Sequence, residues 1–154
     1  MLPSFSIVAP SDFATQQLIA DWYDMEWRIE PAKTHSQLSS HPADGVPFQL
    51  LMTLKDAPIG TGGVYARVGL ADHVPRYEAV GPWLALMYTV PSQRRKGLGA
   101  RLCSELHERA RAYGVAQLYL FTSSAERLYK RMGYDVVERI LIRERELVVM
   151  QVRL

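Results

Sequence analysis

The chain has 154 residues, 48% hydrophobic and 22% charged, which suits one globular domain with a substantial core. A formal net charge of +2 gives no basic excess of the kind nucleic-acid binding uses, and no stretch approaches the roughly 20 apolar residues of a membrane span. The single cysteine, Cys103, excludes an internal disulfide, and the opening MLPSFSIVAP lacks the basic start and apolar core of a signal peptide, so a cytoplasmic location is expected.

In chain order, Phe5 to Val8 reads as a short strand and Pro10-Ser11-Asp12 as a helix start. From Asp12 to about Glu30, Ala14, Leu18, Trp22, Met25 and Ile29 recur at steps of three and four, which predicts a helix burying that face. Tyr23 and Trp27 form a second pair off this face, beside Asp24 and Glu26. Aromatic faces next to carboxylates suit one wall of a pocket for a cationic amine. The same residues also fit a wider buried stripe edged by solvated acids. Pro31 is expected to end or kink the helix. Lys33 to Val46 reads as a short helical piece and a polar loop, with Pro42 and Asp44-Gly45 as turn chemistry.

Phe48 to Leu54 and Ile59 to Val68 predict a hairpin across Asp56-Ala57-Pro58. No helix pattern follows Gly60, Gly62 and Gly63, so they point to a bulge or bend in a strand rather than a phosphate loop. Gly69 to Pro82 reads as a loop. Trp83 to Val90 is then an apolar run suited to a buried strand, stopped by Pro91. Arg94, Arg95 and Lys96 follow, then Gly97-Leu98-Gly99, then an apolar stripe at helical spacing: Leu98, Leu102, Leu106 and Ala110. Strand, basic glycine turn and helix in that order make an anion cradle. The first turn of a helix has unpartnered amides and partial positive charge, glycines admit a bulky oxyanion, and adjacent cations add charge. A diphosphate is the natural guest. A P-loop would need G-x-x-x-x-G-K-[ST], and a dinucleotide fingerprint would need G-x-G-x-x-G at the strand end. Both fail here on spacing.

Cys103 falls among the apolar positions of this helix, as a buried small hydrophobe would. Tyr113-Gly114 supplies a helix stop. Val115 to Thr122 reads as a buried strand, and Ser123-Ser124-Ala125-Glu126 as a capping box opening a short helix that Gly133 closes. Tyr134 to Ile142 and Glu146 to Leu154 predict a final hairpin about Arg143-Glu144-Arg145, whose exposed edge is open to pairing in a homodimer.

Two stretches carry a resemblance to a known family. Arg94-Arg95-Lys96-Gly97-Leu98-Gly99 fits [RQ]-x-x-G-x-[GA], and Ala125, Leu128, Tyr129, Gly133 and Tyr134 fit A-x-x-L-Y-x-x-x-G-[FYW]. In both, and in element order, the chain resembles the Gcn5-related N-acetyltransferases, the GNAT superfamily, firmly from about Trp83 to Glu138 and loosely before that. The resemblance implies an α/β (α+β) fold in one domain over residues 1–154. It implies a mixed central sheet of about seven strands with about four helices, the fourth and fifth strands splayed. The activity implied is acetyl-CoA-dependent transfer of an acetyl group to a primary amine by direct attack, the acceptor being a small molecule or a peptide. No metal, nucleic acid or membrane enters that chemistry, and His35, His41, His73 and His107 show no metal-ligand spacing.

Residue by residue, the backbone from Met87 through Tyr88 to Thr89 is expected to pair with the pantetheine arm and polarise the thioester. Arg94, Arg95, Lys96, Gly97, Leu98, Gly99 and Ala100 are expected to hold the diphosphate. Tyr129 matches the family's usual general acid, a phenol of unperturbed pKa about 10 that protonates a departing thiolate without ionising at rest. Arg95 replaces a frequent glycine. Thr122 stands where many members have Asn, which alters or removes a hydrogen bond to the pantetheine. Glu78 and Glu26 are candidate general bases, with His73 and His35 as further ones, and Tyr23, Glu26 and Trp27 are candidate acceptor contacts. A non-catalytic acyl-CoA-binding sensor or regulatory module is the alternative, since it would keep the cradle and need no acid.

Overall fold

The computed structural model describes residues 1–154. Its elements are β1 (Ser4–Ile7), α1 (Phe13–Trp27), α2 (Pro31–Ser39), β2 (Phe48–Leu54), β3 (Ala57–Tyr65), α3 (Leu70–His73), β4 (Trp83–Thr89), α4 (Leu98–Ala112), β5 (Gln117–Thr122), α5 (Glu126–Arg131), β6 (Asp135–Ile142) and β7 (Arg145–Arg153). All seven strands join one mixed sheet, in the order β1-β2-β3-β4-β5-β7-β6. Neighbours are antiparallel except β4 and β5, which run parallel and are in register only where Trp83 faces Tyr119. Beyond that contact the two strands part, as expected.

Alternation along the strands divides the core between the two faces. On one face, Leu50, Met52, Leu84, Leu118 and Met150 meet Leu102, Leu106 and Ala110 of α4 and Tyr129 of α5. On the other, α1 and α2 bring Ile19, Trp22, Tyr23 and Leu38 to Tyr88. Farther along that face Leu70, Val74 and Tyr77 cover Trp83 and Val149. Gly69 to Pro82 is therefore not a bare loop. It holds α3 and a 3-10 turn, Pro75–Ala79, because its few apolar residues are buried against Trp83.

α1 is rotated from its expected orientation. Gln16, Ile19, Ala20, Trp22 and Tyr23 point inward, while Ala14 is exposed and Met25 is 77% exposed. The inward face admits a polar residue because that residue is satisfied. Gln16 donates to the Pro10 carbonyl at 2.8 Å and accepts from Ser39 at 3.0 Å. Arg28, at φ 54°, ends α1, and Pro31 opens α2 at its first position. The capping box is also absent. Ser123 Oγ accepts from Arg145, and Glu126 binds Arg139 and Lys130, which hold its carboxyl down to about 2. Thr122 Oγ1 instead accepts from the amides of Ser124 and Ala125, at 3.3 and 3.0 Å.

Close packing explains the β3 glycines. A Cβ on Gly60 would lie 2.7 Å from the Tyr88 carbonyl, and one on Gly62 would lie 2.5 Å from Met87 Sδ and 3.1 Å from Leu106. The expected bulge is present on β3, where Met52 faces Gly60 and Thr53 faces Pro58, which leaves Ile59 as the extra residue. A second bulge, on β4, lies beside it. Thr61 faces Tyr88 and Gly63 faces Ala85, and Leu86 within the bulge has φ 58°.

A buried polar network braces this irregularity. Tyr23 Oη donates to the Leu86 carbonyl at 2.7 Å, and Gln49 Nε2 donates to Tyr23 Oη at 2.9 Å and to Thr61 Oγ1 at 2.7 Å. Thr61 Oγ1 donates in turn to the Leu50 carbonyl at 2.7 Å, and Tyr65 Oη donates to Gln49 Oε1. Tyr23→Phe should lower unfolding free energy by about 1–3 kcal/mol in urea titration, because the Leu86 carbonyl loses its hydroxyl donor.

Cys103 is fully buried on α4, and burial pushes its thiol up to about 12. Below that pH the sulfur stays protonated. An aromatic disulfide reagent at pH 8 should therefore label native protein at least about 100-fold more slowly than urea-unfolded protein, read by absorbance.

Candidate functional site

The segment after β4 is built as an open basic turn. Pro91–Gln93 forms one 3-10 turn, Arg95 has φ 64°, and Gly97 has φ 75° as the residue preceding α4. No side chain caps α4, so its first-turn amides face outward without a protein partner. A Cβ placed on Gly97 or Gly99 would meet nothing within 4 Å, so both glycines line open space. Arg95 and Lys96 are exposed beside them, with Lys96 donating to Gln93 Oε1 at 3.2 Å. Leu98 is buried and anchors the turn to the core, and Ala100 is half-buried.

Arg94 is held differently. Its Nε donates to the Thr89 carbonyl at 2.8 Å, and its guanidinium carbon lies 5.4 Å from the Tyr88 ring centroid. Its Nη2 reaches Glu26 Oε1 on α1 at 3.3 Å. Tyr88 stacks on Trp22 at 5.3 Å and meets Trp27 edge-on at 6.2 Å. The end of α1 and the basic turn thus share one aromatic and ionic contact.

Between the walls lies the gap. Along it β4 pairs only with β3, and β5 pairs only with β7 from Gln117 to Thr122. Their facing edges can therefore accept an extended segment carrying amide groups. Met87 and Thr89 are half-buried on this stretch of β4, and Thr122 ends β5 with its hydroxyl engaged in the following turn.

Three residues separate β5 from α5, which carries Tyr129 to the same face of the sheet as α4. Tyr129 is 7% exposed, and its ring packs edge-on against Tyr134 at 5.6 Å. Burial, reinforced by the nearby Cys103, holds its phenol well above the ordinary tyrosine range. Tyr134 Oη lies 2.8 Å from His107 Nε2 on α4, so the turn that follows α5 is tied to α4 by a polar contact as well as by packing.

Of the other expected site residues, only Glu26 and Trp27 lie beside the basic turn. Tyr23 is 1% exposed, with its hydroxyl committed to Leu86 and Gln49, so it braces β4 and offers no wall to a ligand. Glu26 and Trp27, the latter 43% exposed, remain at the surface. Glu78 sits on the 3-10 turn before β4, accepting from Arg67 at 2.9 and 3.0 Å. The length of β4, roughly 20 Å at about 3.3 Å per residue, separates it from the basic turn. His35 is on α2 and faces α1, its ring nitrogens 3.2 and 2.9 Å from Gln16 and Gln17, and His73 is exposed on α3. No group of three or more His, Cys, Asp or Glu side chains is placed to hold a metal ion, and no helix is long and apolar enough to cross a membrane. The Leu86 bulge and the Glu26–Arg94 contact were not foreseen. A leucine at positive φ leaves no sequence signal, and ion pairs 68 residues apart leave none either.

The model of the acetyltransferase (GNAT) domain matches residues 50–136. No curated protein sequence matches the chain. Among solved structures, the aminoglycoside 6'-N-acetyltransferase from Enterococcus faecium superposes with a TM-score of 0.73 at 16% identity, over 97% of this chain and 96% of that one. The yncA protein from Salmonella typhimurium, solved with its cofactor acetyl-CoA, gives 0.71 at 17% identity, over 99% and 94%. The ribosomal-protein-S18-alanine N-acetyltransferase from Escherichia coli gives 0.71 at 14%, over 99% and 94%. Identities this low establish a shared fold. The domain match spans more than half of the chain and takes in the parted strands, the basic turn and Tyr129, so the chain belongs to the GNAT acetyltransferase family.

Proposed function

We propose that the protein is an acetyl-CoA-dependent N-acetyltransferase that moves the acetyl group to a primary amine by direct attack. The observation that carries this reading is the open glycine turn at the mouth of the parted strands, where bare amides and cations converge. Arg95, Lys96 and the amides from Gly97 to Ala100 hold the diphosphate, joined by Arg94 once it leaves Glu26. The pantetheine arm runs between β4 and β5 as an added strand. A backbone N–H near Met87 polarises the thioester carbonyl, an arrangement aided by the bulge at Leu86.

The amine, as its free base, attacks the carbonyl carbon. The carbon–sulfur bond breaks, sulfur takes a proton from Tyr129, and the nitrogen loses its extra proton to water. Burial keeps the Tyr129 phenol protonated at neutral pH and makes its phenolate costly, so the proton is restored at each turnover. A module that only binds acyl-CoA would share the cradle and perform none of these steps.

Purified protein should release free thiol from acetyl-CoA when a panel of primary amines is supplied. Bound coenzyme with no thiol released by any amine class would favour the binding module. Tyr129→Phe should lower kcat about 100-fold or more and leave coenzyme affinity little changed. Because the phenol lies above its ordinary range, Tyr129 should impose no loss of rate as pH rises to 10, measurable in the kcat profile. Arg94→Glu combined with Gly97→Glu should abolish calorimetric binding of coenzyme A, by placing negative charge and bulk where the diphosphate sits.

A further inference from the structure

The Arg94 guanidinium has the neighbours that a bound organic cation would have. An aromatic face lies 5.4 Å away at Tyr88, a carboxylate oxygen 3.3 Å away at Glu26, and a carbonyl 2.8 Å away at Thr89. Trp27 closes the side, against the Tyr88 edge. A ring face beside a carboxylate is how proteins recognise ammonium and guanidinium groups. Yet Arg94 also belongs to the turn whose charge faces an anion, and it cannot serve both fully. Its contact with Glu26 is long and half-exposed, with 41% and 36% of the two side chains accessible, so it is a weak pair.

We propose that Tyr88, Glu26 and Trp27 form a cation site that Arg94 fills in the coenzyme-free protein, and that the coenzyme diphosphate empties by drawing Arg94 into the cradle. The site is then open to a positively charged group on the acceptor, in addition to the amine that reacts. This rests on the acetyl-CoA reading above and assigns the acceptor's class: an amine with a second cationic group. Coenzyme and acceptor are thereby coupled through one side chain. The diphosphate competes with Glu26 for Arg94, and the acceptor's cation replaces Arg94 at Glu26. Linkage makes this coupling reciprocal, so each ligand favours the other.

Two measurements test it. In the first, coenzyme A affinity is measured by calorimetry for wild type, Glu26→Gln, Arg94→Gln and the double variant. Glu26→Gln should bind coenzyme A about two- to fivefold tighter, the scale of an exposed ion pair, and this gain should vanish in the Arg94→Gln background. An equal gain in both backgrounds reflects general charge alone and overturns the proposal, as does no gain in either.

The second uses caesium ion as a cationic quencher of tryptophan fluorescence. Trp83 is 0% and Trp22 8% exposed, so Trp27 dominates collisional quenching. Coenzyme A should raise quenching by caesium relative to neutral acrylamide in wild type and not in Glu26→Gln. Identical ratios with and without coenzyme overturn the proposal. Failure of wild-type protein to bind coenzyme A at all would instead reject the acetyl-CoA reading.

Discussion

Two parallel strands that meet at one residue pair and then separate leave backbone donors and acceptors facing a gap. A fold carries such a gap only if the other edge of each strand is tied down. Here β5 is paired with β7 over its whole length, and β4 is paired with β3 on both sides of its bulge. Beneath the bulge, Tyr23, Gln49, Thr61 and Tyr65 exchange hydrogen bonds that reach the Leu86 and Leu50 carbonyls. Each buried group without a partner would cost about 1–3 kcal/mol, so this satisfied network is what makes a left-handed leucine tolerable in a central strand. The gap is a property of the strands' surroundings more than of the strands.

The chemistry then arrives from two walls. From β4 come the basic turn and the bare first turn of α4. From β5, after a tight bend, comes α5 with Tyr129. Their relative placement is set by one packed face, where Leu102, Leu106 and Tyr129 share a core and Tyr134 meets His107. Arg95 shows how the turn is shaped. It adopts φ 64°, which costs a non-glycine residue roughly 1 kcal/mol, and in exchange it sets a charge where a glycine would set none.

Much of this was legible in the sequence. The basic turn, the α4 stripe and the Leu128-Tyr129 motif stand out because glycines, cations and a 3.6-residue period leave direct marks, and strand β2 has its expected bounds. What was not legible has a common cause. Apolar periodicity misjudged α1, since its inward face includes Gln16 and Tyr23, whose polar atoms are paired by residues distant in sequence. The capping motif at Ser123 was outbid by Arg139, Lys130 and Arg145, whose positions only the β6–β7 hairpin determines. Glu78 precedes the central strand by sequence, but that is the closed end of the sheet, where Arg67 engages it.

The glycines of β3 have a bearing on how this chain can change over generations. At Gly60, Gly62 and Gly63 even a methyl group would collide with a neighbour, one of them a main-chain oxygen that has nowhere to retreat. Ordinary drift begins with small, nearly neutral steps, and here the smallest available step is already obstructed. A side chain at Gly62 would meet only side chains and needs Met87 to swing aside or shrink, whereas one at Gly60 meets the main chain of β4, so the first site can change in concert with its neighbour and the second is closed to change.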